Sequence, residues 1–539
     1  MEKFLAHTYH HWIYILVIIT LASMAWIAMF RRGDFRDIKK SHWEWLMVIM
    51  ILGILFRWGF SPMKPQVFHD EFYYLSAGEN TAVNNVITPL ILRGYPPGDG
   101  RTYHFNPPYP HAWPGVLSII FRVVRRCSFA VASRFSFVLS CLVPLWIFFA
   151  GCFLMQDLGP NPSARRYSGP KCGLAGALCW ACLPVLIKFT GSAAMEPASA
   201  FFISLFLGAL FLYHRHPSKP AFLLMASTGG LMINSRPENL FYLLIAGVFL
   251  VPKIKKIPRD VLWTGGFILG LSLAGAFLIM ASGLPDPERA HVFTIIPREA
   301  FPGPVQNALA NLWNNLLFLL GFWGIHPVVL TLAGAFGLYR MILAGDCPPR
   351  GYLMGIWGLV IYLILSMFPF GDFAGQNSYD ASRFSIHLYF PLIFTASYGF
   401  HRFISLFAGT ALRRLALTLT VLIILFSPFR ALDYLGTRHP HQNFYQATRQ
   451  LSKMLPGDAL VMAESPEAAL MLRFALDKPA FLIKTADDVN SLDPGECGLF
   501  LFSTESPSEM ILENFRLEPF SSFGSGTGGY TVFRMEKLE

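Results

Sequence analysis

Phe68-His69-Asp70-Glu71-Phe72-Tyr73-Tyr74 sets two adjacent carboxylates beside a histidine and an aromatic cluster, almost directly after the second strongly apolar run. Adjacent acids repel each other and lose hydration at a bilayer surface, so the position calls for water, a cation or a substrate to compensate them. Two readings fit: a solvated loop opening an interfacial helix, or an active site facing the non-cytoplasmic side. Glu196 precedes Pro197 and another apolar run, either as a helix cap or as a third carboxylate on the same face. Asn234-Ser235-Arg236-Pro237-Glu238-Asn239 splits two short apolar runs, so Arg236 and Glu238 pair with each other or meet an anionic headgroup. Arg383 stands just ahead of an apolar run that starts near Ile386. Its fork of donors suits a phosphate, and its place equally suits an anchor at the membrane interface.

The elements that must hold these groups are membrane helices. The 539 residues are 54% hydrophobic and 14% charged, with a mean hydropathy of +0.45, which excludes an ordinary soluble protein. Apolar runs of roughly 17 to 25 residues recur along most of the chain. The net charge of +10 comes from Lys and Arg in short loops between those runs, which is membrane topology and no nucleic-acid surface. Of the eight cysteines, most lie within apolar runs and form no legible disulfide framework.

A first span over 12–30 is followed by Arg31, Arg32, Arg36, Lys39 and Lys40, which places the N-terminus outside and keeps the span as an anchor. The second span, over 43–60, then delivers Asp70 and Glu71 to the outer face. A long outer loop over about 61–130 follows, with the proline-aromatic stretch Tyr103-His104-Phe105-Asn106-Pro107-Pro108-Tyr109-Pro110-His111. It ends in an interfacial helix over 113–126, where Val116, Ile119, Ile120, Val123 and Val124 oppose Arg122, Arg125 and Arg126. Both flanks of the split run at 234–239 are basic, so it reads as a hairpin that dips into the membrane with Arg236 and Glu238 at its buried tip. Continuing to the last span over 415–429 gives about twelve membrane segments, with both termini outside. The expected architecture is thus a mainly α-helical polytopic domain over 1–432, plus a small C-terminal α/β domain over 433–539 on the periplasmic or extracellular side. Short buried strands are expected at 459–462, 480–483 and 499–502, and the glycine stretch 524–529 is a hairpin turn and no phosphate loop.

In order, HDEFYYL, NPPYPHAWP, AAMEPASAFF, NSRPENL and SRFSIHLYFP resemble the GT-C superfamily of integral membrane glycosyltransferases, in its protein O-mannosyltransferase and aminoarabinose transferase branch. The resemblance implies transfer of a sugar from a polyprenyl-phosphate donor to a glycan, lipid or protein acceptor, with inversion, on the non-cytoplasmic side of a bacterial inner membrane. It makes Asp70 the base, with Glu71 and Glu196 as further catalytic acids or, with Asp70, ligands of a divalent cation. Substrate contacts fall to His69, Tyr73, Tyr74, His104, Asn106, Arg236, Glu238 and Arg383. The chemistry agrees, because such a transfer needs a carboxylate to take the acceptor proton and cations for the departing phosphate. The chain departs from the pattern in its extra N-terminal span and in a Glu196 that lacks a neighbouring aspartate. A flippase for a lipid-linked glycan, an O-antigen polymerase or ligase, and a non-catalytic envelope scaffold are the rival readings.

Overall fold

The computed structural model describes residues 2–35, 38–61, 63–65, 68–86, 90–93, 102–104, 111–155, 162–251, 257–282, 304–367, 373, 381–407, 409–436, 442–476, 480–483, 488, 498–503, 507–523 and 530–537. Its first half is helical: α1 (Glu2–Phe30), α2 (Lys40–Phe60), α3 (Phe68–Asn84), α4 (Ala112–Val124), α5 (Phe129–Met155), α6 (Pro162–Cys182), α7 (Pro184–Phe189), α8 (Glu196–Arg215), α9 (Lys219–Ile233), α10 (Leu240–Leu250) and α11 (Arg259–Ser282). Further helices at Pro304–Leu319, Val328–Ile342, Pro348–Met367, Ile386–Ser405 and Thr410–Arg430 complete this region. Among the described residues, seven helices are long and apolar enough to cross a membrane: α1, α2, α5, α8, α11, Pro348–Met367 and Thr410–Arg430. The other expected segments are shorter, like α9 and α10, or less apolar, like α6 with Ser168, Pro170 and Lys171 and Ile386–Ser405 with His387, His401 and Arg402.

Burial separates these helices by position. In α2 the buried stripe His42, Leu46, Ile49, Gly53, Arg57 follows helical spacing, while Trp45, Met47, Ile51, Leu55 and Trp58 stay exposed as a face for acyl chains. In α8 nearly every side chain is buried, which makes it the central post of the bundle. Val328–Ile342 and Ile386–Ser405 meet almost backbone to backbone, because Gly337 faces Thr395 and Gly399 faces Ala333. A Cβ at Gly399 would overlap the Ala333 carbonyl oxygen, so Gly399→Leu should lower stability by about 1–3 kcal/mol or more. Thermal unfolding in detergent checks this against Gly266→Ala, which meets open space and should stay within about 0.5 kcal/mol of wild type.

The C-terminal region forms a seven-stranded sheet in the order β2-β1-β4-β3-β5-β7-β6. Its strands β3 (Leu460–Ala463), β4 (Ala480–Leu482), β5 (Leu499–Ser503), β6 (Phe515–Phe523) and β7 (Tyr530–Lys537) come from the end of the chain. The remaining two, β1 (Leu90–Arg93) and β2 (Thr102–His104), come from the loop after α3, and β1 pairs in parallel with β4 at Leu92↔Phe481 and Arg93↔Leu482. The sheet therefore recruits an edge hairpin from the segment that carries Asp70. A helix at Pro466–Leu476 packs back on α3 through stacked Phe72 and Phe474 rings and an ion pair between Arg473 and Glu79 at 2.9 Å. β6 and β7 run antiparallel with Phe523 opposite Tyr530, in keeping with a hairpin turn over 524–529, residues that lie outside those described.

α4 runs one or two residues off the expected interfacial helix, and its faces divide differently. Trp113, Val116, Leu117 and Phe121 are buried, whereas Val123 and Val124 are exposed. Arg122 does not point to open water: it donates to the Thr81 carbonyl at 2.8 Å and the Ala82 carbonyl at 3.0 Å, closing the C-terminal end of α3.

Candidate active site

Charged residues scattered from position 70 to 383 in the sequence converge at one end of the bundle. Asp70 and Glu71 occupy the first turn of α3, where free backbone N–H groups favour negative charge. Being adjacent on a helix, they point about 100° apart and take different partners. Asp70 Oδ2 accepts from Arg383 Nη1 at 3.0 Å. Glu71 is fully buried, and its Oε2 accepts from the backbone N–H of Ala193 at 2.7 Å. Tyr73 and Tyr74 are buried three and four residues beyond Asp70, on its side of the helix.

The turn that Glu71 grips is held from several sides. Gly191 N–H donates to Ser61 Oγ at 2.9 Å, Ser133 Oγ donates to the Gly191 carbonyl at 2.5 Å, and Trp113 Nε1 donates to the Ala193 carbonyl at 2.8 Å. Below it, the buried Arg57 guanidinium donates to the Ala181 carbonyl at 3.0 Å and to Ser140 Oγ at 3.2 Å, and Ser140 in turn bonds Thr190 at 2.9 Å. This fastening sets the start of α8, where Glu196 follows immediately. Pro197 fits the first turn, but Glu196 does not cap its own helix. Its Oε1 accepts instead from Arg236 Nη1 at 2.8 Å and lies 3.3 Å from Arg383 Nη1.

Arg236 enters from the turn between α9 and α10, beside the short 3-10 helix Pro237–Asn239. The expected hairpin is present as these two short helices, and its tip joins the end of the bundle that holds Asp70. Arg236 Nη2 lies 3.3 Å from Glu238 Oε1, so one guanidinium bridges two carboxylates. Burial pushes the Glu238 carboxyl up, but the charge of Arg236, followed by that of His387 and by hydrogen bonds, outweighs it and brings the pKa to about 2. Asn239 locks the tip by donating to Ser199 Oγ at 3.0 Å and the Met232 carbonyl at 2.8 Å. Phe384 lies under both guanidinium groups, with centroid distances of 5.0 Å for Arg236 and 5.3 Å for Arg383.

Asp70, Glu196, Arg236, Glu238 and Arg383 thus form one connected ionic cluster, three carboxylates to two guanidiniums. Glu71 stands beside it as a fastener of α3 to the α8 turn. The side chains of His69 in α3 and His104 in β2, and Asn106 altogether, lie outside what the structure describes. Asp70, Glu71 and Glu196, the expected ligands of a divalent cation, take separate partners in this structure. Arg383 already stands between Asp70 and Glu196, Glu71 is directed at a backbone N–H, and no trio of His, Cys, Asp or Glu among the described residues is close enough to hold a metal.

Several contributors carry only faint sequence signals. Lys188 is a lone lysine near the end of an apolar run; its Nζ donates to the Tyr434 carbonyl at 3.0 Å and sits 4.0 Å over the Tyr434 ring. Tyr434 in turn bonds Ser382 at 2.8 Å, one residue before Arg383. Arg57, the one basic residue within the second apolar run, is the other signal available before the fold is known.

No family model matches the sequence, and no curated protein matches it. Solved structures do share its fold. ArnT from Cupriavidus metallidurans in the apo state superposes with a TM-score of 0.56 at 12% identity, covering 92% of this chain and 98% of ArnT. The same protein bound to undecaprenyl phosphate gives a TM-score of 0.53 at 13% identity, over 91% and 98% of the two chains. The chain has the ArnT fold, as the resemblance to the aminoarabinose transferase branch implies.

Proposed function

We propose that the chain is a membrane glycosyltransferase that moves a sugar from a polyprenyl-phosphate donor to an acceptor hydroxyl on the non-cytoplasmic side of a bacterial inner membrane. The observation that supports this most is the bond of Arg383 Nη1 to both Asp70 and Glu196, within a fold shared with a protein that binds undecaprenyl phosphate. The cluster holds three carboxylates against two guanidiniums, and Arg236 is already neutralised by Glu196 and Glu238. Arg383 is likewise shared between Asp70 and Glu196, but it is the more exposed of the two guanidiniums, at 15% against 8%, and so the one that an incoming phosphate can reach and that can grip it bidentately.

On this reading Arg383 exchanges partners. As the donor phosphate takes its guanidinium, Asp70 is released to accept a hydrogen bond from the acceptor hydroxyl. The hydroxyl oxygen then attacks the anomeric carbon, its proton passes to Asp70, and the bond from that carbon to the phosphate oxygen breaks. Polyprenyl phosphate departs with its added negative charge held against Arg383, and configuration at the anomeric carbon inverts. Glu196 Oε2 is buried with no hydrogen-bond partner among the described residues, an acceptor suited to orienting a sugar hydroxyl.

The test is mass spectrometry of lipid that co-purifies with the protein, followed by a transfer assay with that donor. A polyprenyl-phosphate monosaccharide consumed with transfer supports the reading, and a lipid-linked glycan moved across vesicles without transfer overturns it. Arg383→Gln should weaken donor retention about 10- to 100-fold, the loss expected for a charge-assisted contact worth about 1.5–3 kcal/mol. Unchanged retention in that variant would assign the phosphate to another group.

A further inference from the structure

A second ionic constellation lies at the opposite end of the helix that follows Arg383. From Ile386 to Arg402 the helix rises about 24 Å, and at that far end Arg402 meets Asp346 and Arg340. Asp346 sits in the connection between Val328–Ile342 and Pro348–Met367. Its Oδ2 lies 2.9 Å from Arg402 Nε and 3.3 Å from Arg340 Nε. Its Oδ1 accepts from Arg402 Nη2 at 3.0 Å and Arg340 Nη2 at 3.3 Å, and Tyr398 OH donates to Oδ2 at 2.6 Å. One carboxylate thus fixes two guanidiniums side by side, Arg340 through Nε and Nη2 and Arg402 through its Nη2 hydrogen bond, with Arg402 Nε in ionic contact only. The Nη1 donors of both remain for another acceptor.

The surroundings add positive charge. Lys171 of α6, Arg402 and Arg413 all act electrostatically on the His401 ring, so they gather around the same helix end. Scattered loop lysines and arginines, which topology alone explains, do not converge on one carboxylate in this way. The rim is apolar: Tyr339 and Leu343 beside Arg340, and Phe403 and Leu406 beside Arg402, are all exposed, Leu343 at 76%. A small anion in water would satisfy the cations but leave those side chains uncovered. An amphiphile satisfies both.

We infer that the Arg340–Asp346–Arg402 constellation seats the phosphate of an anionic phospholipid, whose acyl chains lie along Tyr339, Leu343, Phe403 and Leu406. The ligand differs in position from the sugar donor, since the two clusters occupy opposite ends of one helix. Fixing the two guanidiniums on Asp346 in advance lowers the entropy lost when the headgroup arrives. It also explains why two like charges are held together at a half-buried position, with side-chain exposures of 25% and 21%.

The full-length protein in mixed micelles is titrated with phosphatidylglycerol or phosphatidylcholine, and retained lipid is read by native mass spectrometry. Phosphatidylglycerol should be retained at least about tenfold better, and Arg402→Gln should cut that preference about fivefold, as expected for one basic residue near a membrane surface. Arg413→Gln and Leu406→Asp, both at exposed positions, carry the test should Arg402→Gln not fold, and each should lower retention without lowering the unfolding midpoint. Equal retention of the two lipids overturns the inference, as does displacement of phosphatidylglycerol by equimolar inorganic phosphate, which would mark a free-anion site. This outcome is separate from the sugar-transfer assay, so either reading can fail alone.

Discussion

Asp70→Asn should abolish sugar transfer, by about 10²- to 10⁴-fold, while the protein stays folded and still binds its donor. The asparagine carbonyl can accept the Arg383 hydrogen bond that Asp70 Oδ2 accepts at 3.0 Å, so the local geometry has a substitute. Asparagine thus keeps the hydrogen bond and gives up only the charge, at side-chain exposures of 18% for Asp70 and 15% for Arg383. What asparagine cannot do is take a proton. On the proposed mechanism the Asp70 carboxylate also competes with the donor phosphate for Arg383, and removing that competitor should leave the donor KM unchanged or lower it a few-fold. A fall in kcat with a steady or lower KM is the signature of a group acting in the transition state. Transfer within about threefold of wild type would remove Asp70 from the mechanism. Glu71→Gln is the matched control: a glutamine Oε1 can still accept from Ala193 N–H, so transfer should fall far less than in Asp70→Asn.

The contrast between these neighbours shows what a sequence can and cannot carry. Asp70, Glu196, Arg236, Glu238 and Arg383 each stand out as a charge at the edge of an apolar run, and the alternation of basic loops predicts which of them share a face. The convergence of Asp70, Glu196 and Arg383 was legible for that reason, whereas the hairpin reading placed Arg236 and Glu238 at a tip within the membrane and did not join them to the cluster. The partner of Glu71 was not, because a backbone N–H at Ala193 leaves no mark in the residue type. Pairing of Leu92 with Phe481 is equally hidden: a four-residue strand in a loop signals little, and a parallel partner far along the chain has no local signature. The same limit conceals the tie between α3 and the C-terminal sheet, since Glu79 and Arg473 read separately as ordinary surface charges. The helix Ile386–Ser405 was visible as an apolar run, whereas the contact at Gly399 that fixes its neighbour is set by the absence of a side chain.

Arg236→Gln is expected to damage the fold more than any other single change in the cluster. Arg236, Glu196 and Glu238 are nearly buried, at 8%, 3% and 13%, and the guanidinium bridges both carboxylates. Removing it leaves Glu238 buried without its guanidinium and Glu196 with Arg383 alone, at 3.3 Å, and breaking a buried pair in this way typically costs about 3–5 kcal/mol. The pH dependence separates this cause from simple loss of packing. In the wild type the Glu238 carboxyl is depressed from 4.5 to about 2, so its stabilising contribution is present above pH 4.5 and fades as pH falls toward 2. Without Arg236 burial dominates, the carboxyl rises above its unfolded value, and the variant gains stability on acidification as the group takes up a proton. The unfolding midpoint of Arg236→Gln should therefore rise between pH 8 and pH 5, a window in which Glu238 in the wild type stays ionised and contributes no slope. A midpoint equally depressed at both pH values would mean that Arg236 acts through packing on Phe384 and not through charge. Arg236→Lys keeps the charge and loses the fork, so it should recover part of the midpoint but not the placement of Glu196 Oε1, and transfer should remain impaired after stability returns. That split would identify Arg236 as the strut that holds Glu196 for substrate, leaving Arg383 as the cation that meets the phosphate.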